Sequence, residues 1–111
     1  MRCYVEMRVY RVRDSYSVLK IFDPYAVMTL LALRDAGGEA NVGDINRYSF
    51  KYGSPQPRTT SRKLAELKRY GLVEERSIER GGFIVEKIYR LTDKGKKLAE
   101  IFAELISEKN A

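Results

Sequence analysis

Glycine and proline punctuate this chain at positions that divide it into helix, helix, helix, hairpin and helix. Asp23-Pro24 is a helix start, because aspartate can accept from the exposed N–H groups of a first turn and proline at the first position sacrifices no hydrogen bond. Val27, Leu30, Leu31, Ala32 and Leu33 then build an apolar face, which Gly37-Gly38 ends. Asn41 can cap a second, shorter helix with Val42, Ile45 and Phe50 turned inward. Residues 51–57 (KYGSPQP) hold one glycine and two prolines and are expected as a loop. A third helix is expected over 58–70, closed by Gly71. Residues 72–80 and 83–92 are β-prone runs joined at Gly81-Gly82, the pattern of a hairpin. Thr92 or Asp93 caps a final helix, along which Leu98, Ile101, Phe102, Leu105 and Ile106 recur at i, i+3, i+4, i+7 and i+8.

Upstream of Asp23, Cys3, Val5, Met7 and Val9 alternate with Tyr4, Glu6 and Arg8, as in a half-buried strand. The run 16–22 reads as a second strand or as the lead-in to the first helix. Cys3 reads as a small hydrophobe of that strand, with an intermolecular disulfide as the sharper alternative. The length, 111 residues, is that of one domain. The expected architecture is therefore α+β, with an N-terminal strand or hairpin extension over 1–22. Three helices plus a β-hairpin follow over 23–92, then a C-terminal helix over 93–111. The apolar stretch 25–33 is far too short to cross a bilayer, and the N-terminus lacks the uninterrupted apolar run of a signal peptide. A cytoplasmic protein with no membrane partner is expected.

The residue inventory narrows the chemistry. There is no histidine, which removes the commonest general base and the commonest metal ligand together. The single cysteine cannot form an internal disulfide, and no glycine-rich phosphate loop precedes a helix. No enzymatic activity, cofactor or metal is expected. The net charge of +6, by contrast, is concentrated. Residues 45–70 carry Arg47, Lys51, Arg58, Arg62, Lys63, Lys68 and Arg69 against Glu66 alone, a surplus of six that equals the whole net charge. Clustering of this kind suits a polyanion, because each neutralised phosphate releases condensed counterions. At about 100° per residue, Thr60, Leu64 and Leu67 share one side of the third helix. Arg58, Arg62, Ala65 and Arg69 occupy the opposite side, flanked by Thr59 and Glu66.

The segment RTTSRKLAELKRYGLV (58–73) resembles the recognition helix and following strand of MarR- and PadR-type regulators. The likeness lies in Ser61-Arg62, the leucines at 64 and 67 and the closing Gly71-Leu72-Val73. YRLTDKGKKL (89–98) is similar to the junction between wing and last helix in the same families. Together the resemblance covers roughly 23–106. It implies a winged helix-turn-helix fold and a transcriptional regulator of double-stranded DNA, a homodimeric repressor at a pseudo-palindromic operator. The third helix would enter the major groove, with the hairpin as wing. Arg58, Thr59, Arg62 and Lys63 would then face bases or phosphates, with Arg62 foremost for a base edge. Lys68 and Arg69 would meet phosphate, and Arg47, Lys51 and Tyr52 would lie on the backbone side. Arg76, Arg80 and Lys87 would flank the wing tip, with Arg80 the minor-groove candidate. The stripe Leu98, Ile101, Phe102, Leu105 and Ile106 is expected at a dimer interface, the alternative being that it covers the domain's own core. No small-molecule effector is implied. Three features depart from the pattern. Thr60 stands where an apolar residue is usual, the 51–57 connection is long, and the N-terminus reads as strand rather than a long dimerising helix. A sequence-tolerant, nucleoid-type DNA binder and a winged module that holds another protein remain alternatives.

Overall fold

A computed structural model describes residues 23–53 and 55–110. The 1–22 extension, with its expected strand and Cys3, lies outside the described residues. The elements are α1 (Pro24–Asp35), β1 (Glu39–Asn41), α2 (Val42–Tyr48), a 3-10 turn (Ser49–Lys51), α3 (Pro57–Arg69), β2 (Val73–Arg80), β3 (Phe83–Leu91) and α4 (Asp93–Asn110). None of these helices is long and apolar enough to cross a membrane.

Local chemistry sets most of the boundaries. The Asp23 carboxylate accepts from the Ala26 N–H at 2.8 Å, with Pro24 in the first turn of α1. Asn41 caps α2 in the same way, its Oδ1 accepting from the Asp44 N–H at 2.8 Å. α3 starts at Pro57, one residue earlier than expected, because proline in a first turn gives up only an N–H that has no partner there. Gln56, which precedes it, makes no side-chain cap. At the other end Gly71 adopts φ +76°, and the Leu72 N–H reaches back to the Leu67 carbonyl at 3.0 Å.

β2 and β3 form the hairpin, turned by Gly81 and Gly82 at positive φ. A β-bulge near its tip leaves Val85 without a partner residue on β2. The short β1, which the sequence does not announce, pairs antiparallel with β3 and makes a three-stranded sheet in the order β1-β3-β2. The core gathers Leu30 and Leu33 of α1, Ile45 of α2, Leu64 and Leu67 of α3, Val73, Tyr89 and Leu91 of the hairpin, and Ala99 of α4.

The two segments that carry the family resemblance meet at one joint. The Thr92 hydroxyl donates to the Gly71 carbonyl at 2.7 Å and accepts from the Gly95 N–H at 3.1 Å. The Thr92 N–H binds the Leu72 carbonyl at 3.1 Å. A Cβ at Gly95 would overlap that same Leu72 oxygen, so only glycine lets the first turn of α4 lie against the link between α3 and β2.

Two core expectations change. Phe50 is 56 % exposed, and fully buried Ser49 takes the inward position, because the chain leaves α-helical geometry for the 3-10 turn at this point. The expected interfacial stripe on α4 also divides. Leu98 and Phe102 pack against the domain's own core beside Ala99, whereas Ile101 and Leu105 are more than half exposed and Ile106 more than a third.

Candidate nucleic-acid interface

α3 separates its two faces cleanly. Thr60, Leu64 and Leu67 are buried, and Arg58, Arg62, Ala65 and Arg69 are exposed on the opposite side, with Thr59 half-buried at the edge. Among the described residues, neither these three arginines nor Arg80 at the wing tip has an acidic partner.

The other nominated cations are already engaged. Arg47 pairs with Asp44, Lys68 with Glu75 at 3.4 Å, Arg76 with Glu39 at 3.3 Å and Lys87 with Glu75 at 3.8 Å. Lys51 pairs with Asp35 at 2.9 Å, and its ammonium also stands 5.1 Å from the centre of the Tyr52 ring. The surplus of 45–70 is thus partly cancelled in space by acids from other parts of the chain. Of the nominated cations, four have no acidic partner among the described residues: Arg58, Arg62 and Arg69 on one helix face, and Arg80 at the tip.

Lys63 is a correction to the sequence expectation. It does not join the outward face but is buried, with its ammonium on the carboxylates of Asp23 and Glu66. The helical wheel explains why: position 63 lies about 60° from Thr60, on the flank of the inward face. A lysine there stays charged only if paired. Burial would raise the Asp23 carboxyl, but the Lys63 ammonium and the Ala26 N–H outweigh it and hold Asp23 below the usual carboxylate range. Burial likewise pulls the Lys63 ammonium down, and the two carboxylates more than reverse this. The pair ties α3 to the first turn of α1.

A second polar cluster braces the back of the domain. Tyr52, Lys51 and Arg34 converge on Asp35, and Arg34 also reaches Glu100 of α4. Burial would raise Asp35, but the Tyr52 hydroxyl and the two cations bring it below its ordinary value. Lys51 and Tyr52, nominated for the DNA backbone, are therefore joined to α1.

The long connection between α2 and α3 has its own anchor, which sequence reading missed. Asn46 is 7 % exposed, and its amide donates to the Thr60 hydroxyl at 2.8 Å and to the Pro55 carbonyl at 3.1 Å. The signal for it in the sequence was paired: a polar residue beside the inward Ile45, and a threonine at an apolar site of α3. The hairpin tip holds another feature not foreseen. Phe83, Ile84 and Val85 are exposed side by side, Phe83 by 75 %.

No protein-family model matches the sequence, and no curated protein matches it. Solved structures do match its fold. A MarR family transcriptional regulator from Silicibacter pomeroyi is 25 % identical, with a TM-score of 0.60 over 86 % of this chain and 57 % of the other. The transcriptional repressor BigR from Xylella fastidiosa is 26 % identical, with a TM-score of 0.57 over 89 % of this chain and 88 % of that one. PadR from Bacillus subtilis, solved in complex with operator DNA, is 26 % identical, with a TM-score of 0.55 over 72 % of this chain and 45 % of PadR. The chain thus spans less than two thirds of the length of the Silicibacter and Bacillus proteins.

Proposed function

We propose that this chain, a winged helix of the MarR and PadR kind, is a double-stranded DNA-binding transcriptional regulator that acts as a homodimeric repressor. One observation carries the reading: Arg58, Arg62 and Arg69 stand without acidic partners among the described residues, on the face of α3 directly opposite its buried side. A helix that docks by one side and offers uncompensated guanidinium groups on the other is equipped for a groove lined by phosphates and base edges. Arg62 is assigned to a base edge, Arg58 and Arg69 to flanking phosphates, and Arg80 to the minor groove beside the wing. The chemistry is binding without catalysis, in keeping with a sequence that has no histidine.

The dimer is assigned to the exposed part of the α4 stripe, Ile101, Leu105 and Ile106. Two-fold pairing would set two recognition helices about 34 Å apart, one turn of duplex. Leu105→Glu is expected to yield monomers by sedimentation velocity; an unchanged dimer would move the interface elsewhere. The apolar wing tip, Phe83 to Val85, favours a second reading, a module that holds another protein. Fluorescence anisotropy with a labelled random-sequence duplex across a salt series separates the two. Affinity that falls steeply with salt is the expected result. Flat or absent binding at low salt would overturn the DNA reading and leave the protein module.

A further inference from the structure

We propose that Asn46 and Thr60 form a positioning pair that sets the rotation of α3 about its own axis and thereby determines DNA sequence specificity; this rests on the DNA-binding reading above.

The start of α3 is not held by a cap. Gln56 makes no side-chain cap bond, and the residues before it are a long, proline-containing connection. An amide carries two N–H donors, and Asn46 spends both at this place. One binds the Pro55 carbonyl and holds the connection; the other binds the Thr60 hydroxyl and holds the first turns of the helix. Asn46 is itself secured from behind, because the Ser49 hydroxyl donates to its backbone carbonyl at 2.6 Å. Asn46, Ser49 and Thr60 are all buried, at 7, 0 and 1 % exposure, so water does not compete for these bonds.

The helix geometry converts this anchor into a control on the exposed face. Arg58 and Arg62 lie two residues to either side of Thr60, each turned about 160° away from it, and Arg69 lies at about 180°. Whatever fixes the direction of Thr60 fixes the direction of all three arginines. Packing of fully buried Leu64 and Leu67 and the Lys63–Asp23 pair hold the middle of the helix against the core. The Asn46–Thr60 bond, 2.8 Å between two buried groups, adds a directional restraint at its first turns, beside Arg58 and Arg62. A rotation of about 20° at a radius of roughly 6 Å moves a side chain by about 2 Å. That exceeds the tolerance of a bidentate base contact, roughly 0.5 Å and 10–20°. It is within the reach of a flexible arginine seeking any phosphate. The unusual threonine on the apolar side of α3 and the long connection before it are accounted for together.

Two substitutions at Thr60 separate direction from packing. Thr60→Val keeps the shape and loses the hydroxyl; Thr60→Ser keeps the hydroxyl and loses the methyl. Affinities are measured by anisotropy for a duplex recovered by the wild-type protein from a randomised library and for a random duplex. Loss of folded protein lowers both affinities alike, so the ratio isolates position from stability. Thr60→Val is expected to lower the ratio by tenfold or more, with random-duplex affinity within about twofold of wild type; Thr60→Ser is expected to keep the ratio. A ratio preserved in Thr60→Val, or reduced equally in both variants, would overturn the pair's role. Should the valine variant not fold, an unchanged ratio in Thr60→Ser supports the pair and a reduced one overturns it. Wild-type protein that binds neither duplex overturns the DNA reading itself. Wild-type protein that binds both equally leaves that reading standing and removes the specificity that the pair is proposed to set.

Discussion

α3 and the β2–β3 hairpin carry similar numbers of cations and leave very different numbers without an acidic partner among the described residues. α3 has five basic residues and one acid, and three of its arginines have no acidic partner among the described residues. The β2–β3 hairpin has four basic and four acidic residues, and on the same count only Arg80 stands without a partner. The cause is geometric. In an antiparallel sheet, residues facing each other across strands come within reach, and Glu74 sits opposite Arg90 and pairs with it at 2.6 Å. On a helix only neighbours three or four apart meet. Arg58 has no acid at such a distance, and Glu66, four residues beyond Arg62, is taken by Lys63. Which cations stand beside an acid therefore follows from the partners the fold supplies, and density of charge along the chain is a poor guide to it.

The largest expected effect comes from breaking the joint that holds helix and hairpin together. Gly95→Ala drives a methyl into the Leu72 carbonyl, where α3 ends and β2 begins, and should cost about 3 kcal/mol. For a domain of this size that corresponds to a fall in Tm of roughly 10 °C or more in a thermal melt. A Tm within two degrees of wild type would mean that the joint yields easily.

The comparison itself is sharpened by matched substitutions of an open and an engaged arginine. Arg62→Ala should weaken binding to a selected duplex by about 1–3 kcal/mol, and binding to random DNA by much less. Arg76→Ala, which removes a cation already facing Glu39, should change either affinity by less than about twofold in the same titration. Equal effects for both arginines would show that ion pairing does not sort the cations.

Lys63 offers a smaller effect than Gly95, and it is one of stability rather than binding. Lys63→Ala should cost about 1–2 kcal/mol in urea denaturation near neutral pH, while the salt dependence of DNA binding stays unchanged. The pH dependence has a definite sign. Asp23 is held below its usual range in the folded protein, so its contribution is present above about pH 4 and is lost as pH falls further. Lys63 is raised, so its contribution is present up to about pH 10 and is lost above its folded pKa. The gap between wild type and variant should therefore be flat across neutral pH and narrow at both extremes. A gap that widened on acidification would contradict the pairing.

Much of the fold was legible because its signals are local. Asp23, Asn41, Gly71 and the Gly81-Gly82 turn act on residues close to themselves in the chain, and the helix ends fall within a residue or two of where they point. Most of what was missed depends on partners far along the chain. Lys63 turns inward to meet Asp23, forty residues earlier, and Asn46 spans fourteen residues to Thr60. β1 has only three residues and exists because β3 offers it an edge. Periodicity marked the whole α4 stripe as apolar, yet it carries no information on where neighbouring elements stop, so it could not foresee that Leu98 and Phe102 would be partly covered and Leu105 would not.

The most direct test of the central claim compares two triple variants in a salt series with random duplex: Arg58, Arg62 and Arg69 to alanine, and Arg47, Lys51 and Lys68 to alanine. Both remove three positive charges from the same stretch of sequence. Removing the three open arginines should flatten the slope of log affinity against log salt by about two, at about 0.9 for each of the two phosphates assigned to Arg58 and Arg69. Removing the three paired cations should leave the slope within about one of wild type. Equal flattening in both variants would contradict the claim, because net charge alone, and not the pairing imposed by the fold, would then govern binding.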